Sequence, residues 1–254
     1  MSRGAFTGRV VLITGTGGGM GRVAAQRFAQ EGAIVVGCDL DAERHAETVE
    51  LVREAGGTIT GGAPVDLGDA EQAKAWVDEA FAEHRRIDVV FNNASAARFG
   101  TIDELTLDDW HYTVRNELDL VFYVTKFAWP YLRTRGGVVI NTASIAGMEG
   151  MRALGQTPHS ATKGAVIALT RQLAVEGAPH HIRAVAISPG AIRTPPTEPM
   201  FADDTIRNAV LDGQLVPRLG EPADVIDLAV FLASDAAAFI TSTNVVVDGG
   251  ATSF

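Results

Sequence analysis

The sequence predicts an α/β fold: a doubly wound parallel sheet, three layers deep, in a single domain spanning residues 1–254. Three observations predict it. A short apolar run, Val10-Val11-Leu12-Ile13, breaks into a glycine cluster and resumes with apolar residues at helical spacing, Met20, Val23, Ala24 and Phe28. Apolar runs then alternate with helical segments along the chain, punctuated by glycine or proline, as parallel strands joined by right-handed crossovers require. The length of 254 residues, with 46% hydrophobic and 20% charged residues, suits one large open sheet, and no linker, internal repeat or low-complexity tract divides it.

The first strand reads as buried on both faces because it is almost wholly apolar and β-branched. The turn after it, Thr14-Gly15-Thr16-Gly17-Gly18-Gly19-Met20-Gly21, lets the backbone approach a ligand that side chains would exclude. The helix that follows points unpaired N–H groups and its positive dipole end at that turn, which makes a site for pyrophosphate. A second buried strand, Ala33 to Cys38, ends on Asp39. That acid lies about 20 residues past the turn, where a dinucleotide fold places the group that hydrogen-bonds the adenosine ribose. A carboxylate there repels a 2′-phosphate, and neither Thr16 nor Leu40 supplies a cation, so NAD is favoured over NADP.

A helix is expected over Ala42 to Ala55, a strand over Ile59 to Val65, and a helix starting near Asp69. Asp66 suits either an adenine contact, together with Leu67, or the cap of that helix. Ile87 to Phe91 reads as a strand, Leu107 to Arg135 as a long helix, Gly137 to Ala143 as a strand, Pro158 to Glu176 as a helix and Ile182 to Ile187 as a strand. The Pro-rich segment up to Phe201 is long enough to close over a ligand. Pro222 to Ala233 reads as a helix with proline in its first turn, and Asn244 to Gly250 as the last strand.

Composition excludes several partners. Acidic residues outnumber basic ones 31 to 21, for a net charge of -10, which argues against nucleic acid or an anionic membrane. The one cysteine, Cys38, sits in an apolar run and reads as a buried, inert thiol. The first residues lack the apolar stretch of a signal peptide and no run is long enough to span a bilayer, so the expected location is the cytoplasm.

The glycine spacing Thr-Gly-x-x-x-Gly-x-Gly resembles the cofactor turn of the short-chain dehydrogenase/reductase family. Asn92-Asn93-Ala94-Ser95 is similar to that family's Asn-Asn-Ala-Gly segment, with Ser95 in place of glycine. Six such segments in the family's order extend the resemblance over nearly the whole chain. It implies a Rossmann-like fold and contacts to a nicotinamide dinucleotide from Gly15, Gly19, Met20, Gly21, Asp39, Asp66, Leu67 and Asn93. Pro189, Gly190, Ile192 and Thr194 would meet the nicotinamide and its pyrophosphate. It also implies pairing into homodimers or homotetramers through the long helices between Leu107 and Arg135, although both helices are equally suited to covering the sheet.

For catalysis the resemblance implies Ser144 as the partner of the substrate oxygen, Lys163 on the nicotinamide ribose, and Asn116 at a helix kink beside the lysine. The family's tyrosine belongs four residues before the lysine, and His159 stands there. An imidazole reaches about 2 Å less far than a phenol, enough to require a bridging water. A lysine cation turns a tyrosine into a useful phenolate but disfavours a protonated imidazole, so His159 is expected to be neutral and a weak base. No other tyrosine lies nearby, since Tyr112, Tyr123 and Tyr131 belong to an earlier segment.

Three readings follow. His159 takes the tyrosine's place in a dehydrogenase of small apolar alcohols or ketones; or NAD stays bound while the pocket performs elimination, isomerisation or carbon–carbon cleavage; or the chain has little catalysis and serves as a binding or scaffold protein. A zinc site from His159, His180 and His181 is disfavoured, because no cysteine or carboxylate stands at ligand spacing. Met148, Met151, Leu154, Met200 and Phe201 are expected to line an apolar pocket, with Arg152 and Arg193 as weak candidates for an acidic group.

Overall fold

The structure is a computed structural model that describes residues 4–151 and 154–253. Seven strands form one parallel sheet: β1 (Val10–Thr14), β2 (Ile34–Cys38), β3 (Thr58–Gly62), β4 (Val89–Asn92), β5 (Gly137–Thr142), β6 (Ile182–Pro189) and β7 (Thr243–Val247). Their order is β3-β2-β1-β4-β5-β6-β7. The order reverses between β1 and β4, and this is where an open α/β sheet leaves a crevice at the carboxyl ends of its strands.

The near-continuous apolar runs are explained by two cores, one on each face. Along β1, Val11 and Ile13 join one core while Val10 and Leu12 join the other. The same period of two runs through β4, where Val89 and Phe91 oppose Val90, and through β5, where Val138 and Ile140 oppose Val139. The first core is closed by α1 (Gly19–Gln30), α2 (Ala42–Glu54) and α9 (Pro222–Ala233). Phe6 and Phe28 meet there edge to face at 5.2 Å, both fully buried. The second core is closed by α3 (Ala70–His84), α5 (Leu120–Leu132) and α6 (Thr157–Gly177).

The structure departs from the sequence reading in four places, the simplest being the last strand, which was expected to reach Gly250 but ends at Val247 because Asp248 accepts from the N–H groups of Gly250 and Thr252 in a turn. The long helix expected over Leu107 to Arg135 is interrupted: α4 (Leu107–Val114) passes through a π-helical turn, Arg115–Asp119, before α5 begins. The strand expected to reach Val65 stops at Gly62, because Pro64 has no N–H to continue the ladder. The segment after Thr194 contains two helices that hydrophobic periodicity could not reveal, α7 (Glu198–Phe201) and α8 (Asp204–Asp212). Helix α8 buries no residue and is announced only by its cap, where Asp203 accepts from the N–H groups of Thr205 and Ile206.

Candidate active site

The glycine turn, the ends of β4 and β5, the start of α6 and the segment after β6 enclose one cleft of about 500 Å³. Two glycines show why the turn has its sequence. A Cβ on Gly21 would lie 1.9 Å from the carbonyl oxygen of Gly15, so only glycine lets α1 pack onto the turn. A Cβ on Gly17 would lie 2.8 Å from the carboxylate of Asp39. Helix α2 braces the loop from outside. Arg22 donates to the carbonyls of Gly17 and Arg44, to Glu47 and to Thr48, while Thr48 donates to the carbonyl of Thr16.

Asp39 follows β2 directly, and its carboxylate accepts from the N–H of Gly17 at 2.6 Å and of Asp41 at 2.9 Å. Arg44, which the sequence reading passed over, also lines the cleft and reaches the Gly18 side of the turn. Asp66 does not cap α3; that role falls to Asp69, which accepts from Glu71 and Gln72. Asp66 instead pairs with Arg115 at 2.7 Å and accepts from Gly68, and both Asp66 and the buried Leu67 line the cleft.

Asn92 and Asn93 point to different partners. Asn92 donates to Asn141 and Thr125, tying β4 to β5 and α5. Asn93 clamps the end of β1 through Thr14 and faces the cleft. Gly15, Gly19, Met20, Gly21, Pro189, Gly190, Ile192 and Thr194 surround the same space: all but Gly21 form its wall, and Gly21 packs behind Gly15. The buried Oδ1 of Asn93 and Oγ1 of Thr142 have no hydrogen-bond partner among the described residues, although buried polar atoms nearly always find one. A turn with no room for side chains, with Asp39 beside it in the cleft, fits a dinucleotide whose backbone must come close to the chain.

At the other end of the cleft stand Asn116, Ser144, His159 and Lys163. Asn116 lies on the π-helical turn and donates to the carbonyl of Tyr112 at 2.8 Å, so the kink implied by resemblance is a π-turn. Ser144 caps a short 3₁₀ turn, accepting from the N–H of Ala146. Lys163 is 3% exposed and donates to the carbonyl of Thr142 at 3.0 Å; burial lowers its pKa and nearby Glu117 opposes the shift.

His159 does not stand alone. Its Nδ1 lies 2.9 and 3.0 Å from the two carboxylate oxygens of Glu117, a residue missed by the sequence reading. Ser95 donates to the same carboxylate at 2.6 Å, and Ser95 is not at positive φ, so the serine fits where the family's glycine would be. The ring of Phe99 lies 5.6 Å from the imidazole, held there as Gly100 bridges to Gln156 beside the start of α6.

The expected apolar pocket residues are not on the cleft wall. Met148 is half exposed with its sulfur at Asn244, Met151 is exposed, Phe201 is buried, and neither Leu154 nor Met200 reaches the cleft. Arg193 pairs with Glu221, and Arg152 lies outside the described residues. His180 and His181 follow the far end of α6, about 30 Å along the helix from His159, too far to share a metal with it. Cys38 is buried, and burial raises its thiol pKa well above the ordinary value.

Comparison with known proteins places this geometry. A family model described as enoyl-(acyl carrier protein) reductase matches residues 15–252. The chain is 36% identical over 249 residues to meso-2,3-butanediol dehydrogenase of Serratia marcescens, covering 97% of this chain and 96% of that one. It is 35% identical over 246 residues to a 3-oxoacyl-(acyl-carrier-protein) reductase of Thermotoga maritima, covering 96% and 97%. The crystal structure of levodione reductase superposes with a TM-score of 0.92 at 32% identity, covering 98% of this chain and all of the other. The fold is that of nicotinamide-dependent oxidoreductases. The chain belongs to the short-chain dehydrogenase/reductase family.

Proposed function

We propose that this protein interconverts a small apolar secondary alcohol and its ketone with NAD, using His159 to move the proton on the substrate oxygen. One observation carries the reading: His159, Ser144, Lys163 and Asn116 wall the same cleft as the glycine turn and Asp39. Bound there, a nicotinamide dinucleotide supplies the hydride acceptor for oxidation and the hydride donor for reduction. Gly15, Gly19, Met20 and Asn93 would hold its pyrophosphate and adenosine side, with Gly21 letting α1 pack behind them, Asp39 its ribose hydroxyls, and Asp66 with Leu67 its adenine. Lys163 would bind the second ribose, while Pro189, Gly190, Ile192 and Thr194 would frame the nicotinamide.

Asp39 supports NAD over NADP through charge. The carboxylate repels a 2′-phosphate, although Arg44 stands close enough to the turn to matter if Asp39 is lost. Ser144 offers a hydroxyl to the substrate oxygen, and Phe99, 5.6 Å from the His159 ring, gives the imidazole an apolar neighbour. Exposed apolar residues on α4 and α5, among them Leu107, Trp110 and Phe122, support a homodimer or homotetramer. The cytoplasm remains the expected location; no helix among the described residues is long and apolar enough to cross a membrane.

The test is NADH formation with a panel of apolar secondary alcohols, and NADH consumption with the matching ketones. Turnover with NAD that is lost in Lys163→Met is the expected result. Failure with every alcohol and ketone, in a protein that binds NADH, overturns the reading.

A further inference from the structure

Glu117 is 1% exposed, and a buried carboxylate is costly unless it is paired and hydrogen-bonded. It is fully supplied. Ser95 donates to Oε1 at 2.6 Å, Thr162 donates to Oε2 at 2.5 Å, His159 Nδ1 contacts both oxygens, and the Lys163 ammonium lies 3.9 Å away. Burial pushes the Glu117 pKa up, but Lys163 and His159 together outweigh it and hold the carboxyl at about 2. At neutral pH Glu117 is therefore an acceptor only, and the imidazole nitrogen that meets it must carry the hydrogen. That leaves Nε2 of a neutral ring bare.

We infer that Glu117 is a positioning residue: it locks His159 in the tautomer with hydrogen on Nδ1, presents Nε2 as the proton acceptor toward the cleft, and stabilises the imidazolium formed when Nε2 takes a proton. The serine at 95 and the histidine at 159 are then two parts of one arrangement, joined through a carboxylate that a phenol would not need. In alcohol oxidation the substrate O–H bond breaks and its proton bonds to Nε2. The electron pair stays on oxygen and becomes the second carbon–oxygen bond as the carbinol C–H bond breaks, and its hydride would pass to a bound oxidised nicotinamide, the oxidant. In ketone reduction the same Nε2–H donates. The sequence-based expectation of a weak base counted only the lysine cation; the structure adds an anion in direct contact with the ring. Related carboxylate–histidine pairs elsewhere work by orienting the ring and stabilising its charged form.

This consequence for turnover rests on the proposed reaction, whereas the tautomer does not. Nitrogen NMR of histidine-labelled protein, with and without NADH and with His159→Gln for assignment, reads it directly. Hydrogen on Nδ1 and a bare Nε2 are expected for neutral His159. Glu117→Gln removes the anion and leaves Lys163 as the charged group nearby. In this variant the ring is no longer held in one tautomer by a carboxylate, so hydrogen should appear on Nε2 in the histidine spectrum, and kcat/KM for alcohol oxidation is read on its pH plateau. Its plateau should fall on the order of 100-fold or more while the NADH Kd stays within about twofold. A hydrogen on Nε2 in the parent protein, or a Glu117→Gln protein with an unchanged histidine spectrum, overturns the inference. If Glu117→Gln does not fold, the parent spectrum still decides. If no alcohol is turned over, the proposed reaction fails while the tautomer is still measured, so the two failures are distinguishable.

Discussion

Glu117 makes position 159 a place for an imidazole. A phenolate there would share its surroundings with a buried carboxylate, and like charges at close range keep one of the two protonated. Restoring the family's residue alone is therefore expected to fail: His159→Tyr should lower kcat/KM on the order of 10-fold or more. Adding Glu117→Leu should recover part of that loss, as steady-state kinetics on the single and double variants would show. A His159→Tyr protein faster than its parent would mean that the carboxylate does not govern this position. That Ser144, Lys163 and Asn116 share one cleft was legible in the sequence because each sits at a fixed offset within a short segment. Glu117 was not, because it lies 42 residues from His159 and its own segment reads naturally for Asn116 alone. A signal existed: a carboxylate set among Val114, Leu118 and Val121 in an apolar helical pattern, in a chain that also departs from the family at Ser95 and His159.

Among elements, the π-helical turn matters most to the site. An extra residue in one turn shifts the helix phase by about 100° and ends the simple 3.6-residue pattern. Periodicity reads straight through such a turn, which is why one long helix was expected where α4, the turn and α5 are found. Strand and helix boundaries elsewhere were legible wherever burial is two-sided or a proline or glycine marks the end; α9 runs over Pro222–Ala233 as read. Helix α8, which buries nothing, left no such mark. The proposed preference for NAD rests on the loop joining β2 to α2. Replacing Asp39 by serine removes the repelling charge while Arg44 remains beside the turn. Asp39→Ser is expected to shift the ratio of kcat/KM for NAD over that for NADP toward NADP by on the order of 10-fold or more. Unchanged preference would show that Asp39 does not meet the ribose.

For the whole molecule, the doubly wound sheet followed from strands apolar on both faces, and the two cores explain why alternation was hidden within them. Assembly was not legible in the same way, because an apolar helix face covers a sheet or a partner equally well. The structure shows Leu107 at 78%, Trp110 at 39% and Phe122 at 48% exposure on the α4–α5 side. Light scattering after size exclusion is expected to give two or four chains per particle. Phe122→Glu should shift the population toward a single chain; a parent protein that runs as a monomer would refute assembly through this face.

The linkage made by Arg22 reaches beyond holding a loop still. With one guanidinium joined to two carbonyls, a carboxylate and a hydroxyl, the socket at the end of α1 is already wired before any guest arrives. Little backbone is left to be ordered on docking, so the heat-capacity change on capture should reflect burial of the nucleotide and its walls, with no added contribution from folding of the loop.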